Sequence, residues 1–241
     1  MQQVVSLDPL ALQDKKTQCI YTHCYCEENI WKLCERMKTE NPLELDNCYA
    51  IFLSSEKSVL PMWYQKDNGE LIVWDYHVIL IHKGSNSSST VYDFDTRLPF
   101  PTSFSNYVFR SWLVTYLLPN PPKRLISMIN DLLFRIVPAR EYLETFSSDR
   151  SHMWNAETNS YSAPPPSYPC IQGNTSTRMN LDDFRMMNQG KKEQVYTLNG
   201  LCELFGMGSV QTILEEHCKH LTTRKTSNDN DEANDDEENL E

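Results

Sequence analysis

Leu71–Asp95 reads LIVWDYHVILIHKGSNSSSTVYDFD. Two runs of aliphatic, β-branched and aromatic residues are joined by a polar, serine-rich connection, which is the pattern of a β-hairpin. In the first run, read as one strand over Leu71–His82, Val73, Asp75, His77, Ile79 and Ile81 share a face at a period of two. A histidine and an aspartate on an apolar face need partners, because an unpaired buried polar group is costly. The second run, Thr90–Asp95, supplies them. In one hairpin register His77 lies opposite Asp93; in the next allowed one it lies opposite Asp95, with Asp93 on the diagonal. Both place Asp93 on the His77 face, about 4.5–8 Å away between Cβ atoms, and a one-residue slip would separate them. A carboxylate beside an imidazole fixes its tautomer and favours its protonated form.

Upstream, Ile30, Leu33, Cys34 and Met37 are spaced i, i+3, i+4, i+7 and predict a helix over Glu27–Lys38. Cys26 falls where an extended HCYC run enters that helix. A thiol there meets the positive end of the helix dipole and free backbone N–H groups, which favour a thiolate and can hold an oxyanion. Glu27 and Glu28 oppose the thiolate, so a base must come from elsewhere in the chain. On its own Cys26 reads as a structural thiol, as Cys34 does inside the apolar stripe. With His77 and Asp93 it completes a nucleophile, base and orienting carboxylate.

Around these lie further expected strands, Tyr49–Leu53 and Val59–Tyr64, and expected helices at Asn106–Leu118, Ala139–Phe146, Leu181–Met187, Leu198–Phe205 and Val210–Leu221. Leu125–Val137 reads as a helix followed by a strand at Phe134–Val137, and Tyr161–Cys170 as an extended proline-rich loop. Strands in the middle with helices before and after predict an α+β fold with a mainly antiparallel sheet. The expected organisation is a polar leader over 1–18, a catalytic domain over 19–206, a terminal helix over 207–222 and an acidic disordered tail over 223–241.

The 241 residues carry a net charge of −11. An acidic chain without a basic patch disfavours nucleic-acid binding. The N-terminal stretch lacks the charge and apolar run of a signal peptide, and no stretch is long enough to span a bilayer, so no membrane association is expected. The eight cysteines are read as thiols. His23-Cys24-Tyr25-Cys26 and His217-Cys218-Lys219-His220 lack the repeated spacing of structural zinc sites, and neither a metal nor another cofactor is expected.

Beyond spacing, CYCEENIWKLCE (Cys24–Glu35), VWDYHVIL (Val73–Leu80), YDFDTRLPFP (Tyr92–Pro101), FSSDRSHM (Phe146–Met153), PPPSYPC (Pro164–Cys170) and MNLDDF (Met179–Phe184) together resemble the protein N-terminal glutamine amidohydrolase family. The resemblance runs from about Cys19 to Gly206. It implies an α-β-α sandwich similar to papain and transglutaminase folds, and a cysteine-dependent deamidase that turns an N-terminal Gln of proteins or peptides into Glu with release of ammonia. It also implies Cys26 as nucleophile with His77 and Asp93, and a place in the N-degron pathway of the cytoplasm and nucleus. Such an enzyme must read a free α-ammonium, which calls for a desolvated carboxylate or a ring of carbonyls. Asp75 is the first candidate and Glu28 the second; Tyr25 and Trp74 are candidates to wall the glutamine side chain. The DRSH block is read as tying a loop together. A monomer is the default expectation. A cysteine protease or transglutaminase with the same triad, and a non-catalytic peptide-binding module, remain open as rivals.

Overall fold

The computed structural model describes residues 16–66, 71–84, 88–176, 178–189 and 194–215. The expected leader up to residue 15, the His217 cluster and the acidic tail lie outside the described residues. Helix α1 (Cys26–Glu40) buries Ile30, Leu33, Cys34 and Met37, the expected stripe, together with Glu27, Glu28 and Asn29. Each of Ile30, Leu33 and Met37 is worth up to about 1.5–3 kcal/mol on burial, far more than helix propensity supplies. Packing therefore sets where the first residue of α1 points.

The stripe lies on a six-stranded sheet formed by β1 (Cys48–Ser54), β4 (His77–Lys83), β5 (Ser89–Tyr92), β6 (Thr102–Ser103), β7 (Leu133–Pro138) and β10 (Val195–Thr197). The strand order is β10-β7-β1-β4-β5-β6, and every pairing is antiparallel. Alternation along β1 and β4 splits the core. Ala50, Phe52, Val78 and Leu80 face α1, α4 (Ala139–Thr145) and α5 (Leu181–Arg185). Ile51, Leu53, Ile79 and Ile81 face α2 (Phe104–Ser111), α3 (Lys123–Asn130) and α6 (Leu198–Leu204). The result is mixed α/β with helices over both faces of the sheet.

The long strand expected over Leu71–His82 is broken. Leu71–Trp74 forms β3, which pairs with β2 (Leu60–Trp63) in a separate small sheet, and β4 begins afresh at His77. Asp75 Oδ1 accepts the Tyr76 N–H at 2.9 Å, and its carbonyl accepts the Ser54 hydroxyl at 2.7 Å. This local bonding competes with the ladder and bends the chain. Val73 and Asp75 are therefore exposed and do not share the His77 face.

The hairpin pairs Leu80 with Tyr92 and Ile81 with Val91. Extrapolated, that register aligns His77 with Asp95, but β5 ends at Tyr92 and Asp93 leaves the ladder. The helix expected over Asn106–Leu118 stops at Ser111, and a 3₁₀ turn, Leu113–Leu117, follows. Between them Trp112 is fully buried, and its indole N–H donates to the Pro61 carbonyl at 3.1 Å. A short hairpin, β8 (Trp154–Asn155) with β9 (Ser160–Tyr161), has no counterpart in the sequence reading. Residues 210–215 are helical, as expected for the start of a terminal helix. No helix among the described residues is long and apolar enough to cross a membrane.

Candidate active site

Cys26 is the first residue of α1, and the chain reaches it through a tight turn. Cys24 takes a left-handed φ of 67°. Asn29 clasps Thr22 twice, accepting its N–H and donating to its carbonyl, each at 2.8 Å. This clasp fixes the turn against the helix and aims Cys26 into a cavity of about 220 Å³. Trp74, Tyr76, His77, Asp95, His152, Met153 and Arg185 line the same cavity, with Asp75 at its rim.

Cys26 keeps some exposure as a residue, while its sulfur is hemmed in by buried groups. The Sγ–H donates to Glu27 Oε2 at 3.6 Å. Burial pushes the thiol well above its usual range, and the Glu27 and Asp95 carboxylates push the same way; a Val78 backbone N–H pulls it down. Burial and the two carboxylates thus favour the protonated thiol over the thiolate.

His77 is buried, its ring stacked on Trp74 at 5.6 Å between centroids and 15° between planes. Its Nε2 lies 2.9 Å from Asp93 Oδ1. Asp93 also accepts the Asp95 N–H at 2.8 Å and, on Oδ2, the Tyr107 hydroxyl at 2.8 Å. Burial works against the imidazolium, but Asp93, Asp95 and Glu27 outweigh it and raise His77. Burial likewise works against the Asp93 carboxylate, and His77 with the donated hydrogen bonds outweighs it, holding Asp93 low. Nε2 is committed to Asp93, leaving Nδ1 as the ring's other nitrogen, and the Cys26 thiol donates to Glu27 rather than to His77. His77, Asp93 and Asp95 bring potential metal-ligand atoms within 4.8 Å of one another. The His77–Asp93 hydrogen bond already uses two of those side chains on each other.

The four expected substrate-binding residues fare differently. Trp74 lines the cavity. Tyr25 does not: it is wholly buried, and its hydroxyl donates to the Ala163 carbonyl at 3.1 Å. Glu28 is fully buried and is used by Arg150, which donates to both carboxylate oxygens at 3.0 and 2.9 Å. The same guanidinium donates to the Pro166 and Tyr168 carbonyls, so the DRSH block ties α1 to the proline-rich loop. Asp75 stands at the rim with its side chain 60% exposed, 3.4 Å from Arg185. It is a solvated carboxylate rather than a desolvated one, because the bend at Asp75–Tyr76 turns it off the His77 face.

Several site residues escaped the sequence reading as functional groups. Tyr107 sits in an apolar helix and looks like core. Glu27 Oε2 accepts the Tyr76 hydroxyl at 3.0 Å, and its Oε1 lies 3.4 Å from His152 Nε2. Asp95 entered only as an alternative partner for His77. The alternation of the YDFD block was the one local sign that Asp95 would stay beside Asp93.

A thiol at a helix N-terminus and a hydrogen-bonded imidazole–carboxylate pair, opening on one cavity, are the parts needed for nucleophilic attack on a carbonyl. Comparison with known proteins narrows that class. The family model described as N-terminal glutamine amidase matches residues 21–207. Relatives named protein N-terminal glutamine amidohydrolase include that of Danio rerio, 41% identical over 194 residues, spanning 79% of this chain and 91% of the relative. That of Bos taurus is 43% identical over 172 residues (70% and 78%), and that of Homo sapiens 41% over 191 residues (78% and 88%). The chain belongs to the N-terminal glutamine amidase family.

Proposed function

We propose that this protein is a cysteine-dependent amidohydrolase that converts the N-terminal Gln of proteins and peptides to Glu, releasing ammonia. The observation that carries the reading is the 2.9 Å His77–Asp93 pair, whose histidine lines the same cavity as Cys26. The order of the parts, a thiol opening a helix and then a histidine and an aspartate at strand ends, supports a papain- and transglutaminase-like arrangement. The names of the relatives support the substrate.

In this mechanism His77 Nδ1 takes the Cys26 proton as sulfur attacks the δ-carboxamide carbon. Backbone N–H groups at the start of α1 stabilise the oxyanion. The imidazolium, stabilised by Asp93, returns the proton to the departing nitrogen, and ammonia leaves a thioester. Water, deprotonated by the same imidazole, adds to the thioester and restores the thiol with release of glutamate. One amide and one water give one carboxylate and one ammonia, with no redox step. We further propose a monomer acting in the cytoplasm and nucleus, feeding the N-degron pathway, with no nucleic-acid or membrane partner.

The test is incubation with peptides beginning Gln, acetyl-Gln and Asn. Ammonia and an N-terminal Glu product from free Gln alone are expected. Backbone cleavage or amine crosslinking would replace the proposal with a protease or a transglutaminase, and peptide binding without turnover would leave a binding module.

A further inference from the structure

We infer that Asp95 is the anchor for the substrate's α-ammonium, the group that separates an N-terminal glutamine from an internal one. The inference rests on the deamidation reading above and names the specificity residue of that same site.

The argument starts from charge. A buried carboxylate is normally paired with a cation or fully hydrogen-bonded. The other carboxylates around this site meet that rule or are poorly placed. Glu28 is held by Arg150 through both oxygens. Asp93 is held by His77, Tyr107 and a backbone N–H. Asp75 is exposed and faces Arg185. Glu27 is buried and does not line the cavity; its Oε2 accepts from Tyr76 and Cys26, and its Oε1 stands 3.4 Å from His152 Nε2 without a hydrogen bond.

Asp95 is different. It is only 9% exposed and lines the cavity, yet among the described residues its side chain has one hydrogen-bond partner, the neutral Tyr21 hydroxyl. Among the described residues no Lys, Arg or His side chain forms an ion pair with it. Two lysines stand nearby without pairing with it: Lys66 donates from Nζ to the Phe94 carbonyl, and Lys16, which feels the Asp95 charge, sets its Nζ over the Phe100 ring at 4.9 Å.

Position agrees with charge. A carboxylate oxygen of Asp95 lies within 4.8 Å of a ring nitrogen of His77, and the thiol opens on the same cavity. In an extended glutamine, the α-nitrogen and the δ-carbon are about 5 Å apart, four bonds of roughly 1.5 Å each bent at tetrahedral angles. A substrate whose carboxamide reaches Cys26 can therefore set its ammonium against Asp95. An acetylated or internal glutamine brings no charge and leaves the carboxylate desolvated and unpaired. Asp95 also raises the Cys26 thiol, so an ammonium that cancels its charge would ease ionisation of the nucleophile. Recognition of a free N-terminus and activation of sulfur then share one residue.

The experiment compares two peptides on the full-length protein: one beginning with Gln, and the same peptide with the α-amino group replaced by hydrogen. Ammonia release gives kcat/KM for each. Wild type should strongly prefer the free amine, and the preference should fall as pH rises past about 8, where an α-amine loses its proton. In Asp95→Asn, whose amide oxygen can still accept from Tyr21, kcat/KM for the free-amine peptide should drop about 10- to 100-fold. Activity on the des-amino peptide should fall far less, so the ratio collapses. The ratio is read within one preparation and does not depend on the folded fraction. Asp95→Glu, which keeps the charge, should retain more of the preference.

An unchanged ratio in Asp95→Asn would overturn the inference, as would a wild type indifferent to the amine. An equal loss on both peptides would also overturn it and place Asp95 behind His77. A wild type that releases no ammonia from any Gln peptide would instead remove the deamidation reading, and the inference with it.

Discussion

Replacing Asp93 with Asn tests the relay at its most constrained point. The carboxylate receives three hydrogen bonds, from His77 Nε2, Tyr107 Oη and the Asp95 N–H. His77 and Asp95 share Oδ1, so an amide can present its oxygen to both, with its NH₂ towards Tyr107, or turn that NH₂ towards His77 and give up the Asp95 N–H. If that donor meets His77, Nε2 must accept, and the ring proton moves to Nδ1, the nitrogen that should take the proton from sulfur. The imidazolium also loses the charge that offsets its burial. By analogy with the same exchange in a serine protease, kcat should fall about 10³- to 10⁴-fold, equivalent to roughly 4–5.5 kcal/mol of transition-state stabilisation. KM should change little, because Asp93 does not line the cavity.

Stability supplies a second signature of the same substitution. Asp93 is lowered in the fold, so its contribution is present above its unfolded value and lost as pH falls through the folded one. His77 is raised, so its contribution is present below its unfolded value and lost as pH rises through the folded one. The wild type should thus exceed Asp93→Asn most between about pH 4 and 6.5, and the gap should narrow on either side. The assays are ammonia release from a Gln peptide and thermal melts across pH. A folded Asp93→Asn protein with kcat within tenfold of wild type would refute the relay.

Cys26→Ala should abolish turnover while the protein still melts cooperatively near the wild-type temperature; retained ammonia release would remove Cys26 from the mechanism. Alkylation of Cys26 by iodoacetamide should be slow at neutral pH, because burial and the Glu27 and Asp95 charges raise the thiol. Its rate–pH curve should move to lower pH in Asp95→Asn, where one of those charges is gone; a curve that stays put would show that the Asp95 field does not reach sulfur. Arg150→Met leaves the buried Glu28 carboxylate unpaired, the two side chains being 7% and 0% exposed. The cost should be about 3–5 kcal/mol, seen as a drop in Tm of roughly 6–20 °C for a chain of this size, whereas a shift under about 2 °C would mean that Glu28 finds another partner.

The legible parts of this protein were those written in short-range periodicity. The i, i+3, i+4, i+7 stripe placed α1 within two residues at either end. The hairpin alternation put Asp93 beside His77, although β5 stops before reaching it. The hairpin Trp154–Tyr161 and the edge strand at Val195–Thr197 were not legible. Both are short, and a strand of two or three residues carries too few side chains to show a period. Asp75 misled for a different reason: its apolar neighbours read as one strand, and only its own side chain, bonded to the next backbone N–H, breaks that strand in two.

The sequence by itself determined which residue types stand at which faces of α1 and the central hairpin. It thereby nominated the thiol, the imidazole and the Asp93 carboxylate, because a repeat of two or nearly four residues is a local property of the backbone. Tertiary structure decided which charges are spent. Glu28 meets an arginine 122 positions away, Glu27 is placed 3.4 Å from the ring of a distant histidine, and Asp95 forms no ion pair among the described residues. Coulomb attraction and desolvation act on distance in space, so the carboxylate left to receive a substrate's charge becomes visible only once the chain has closed around it.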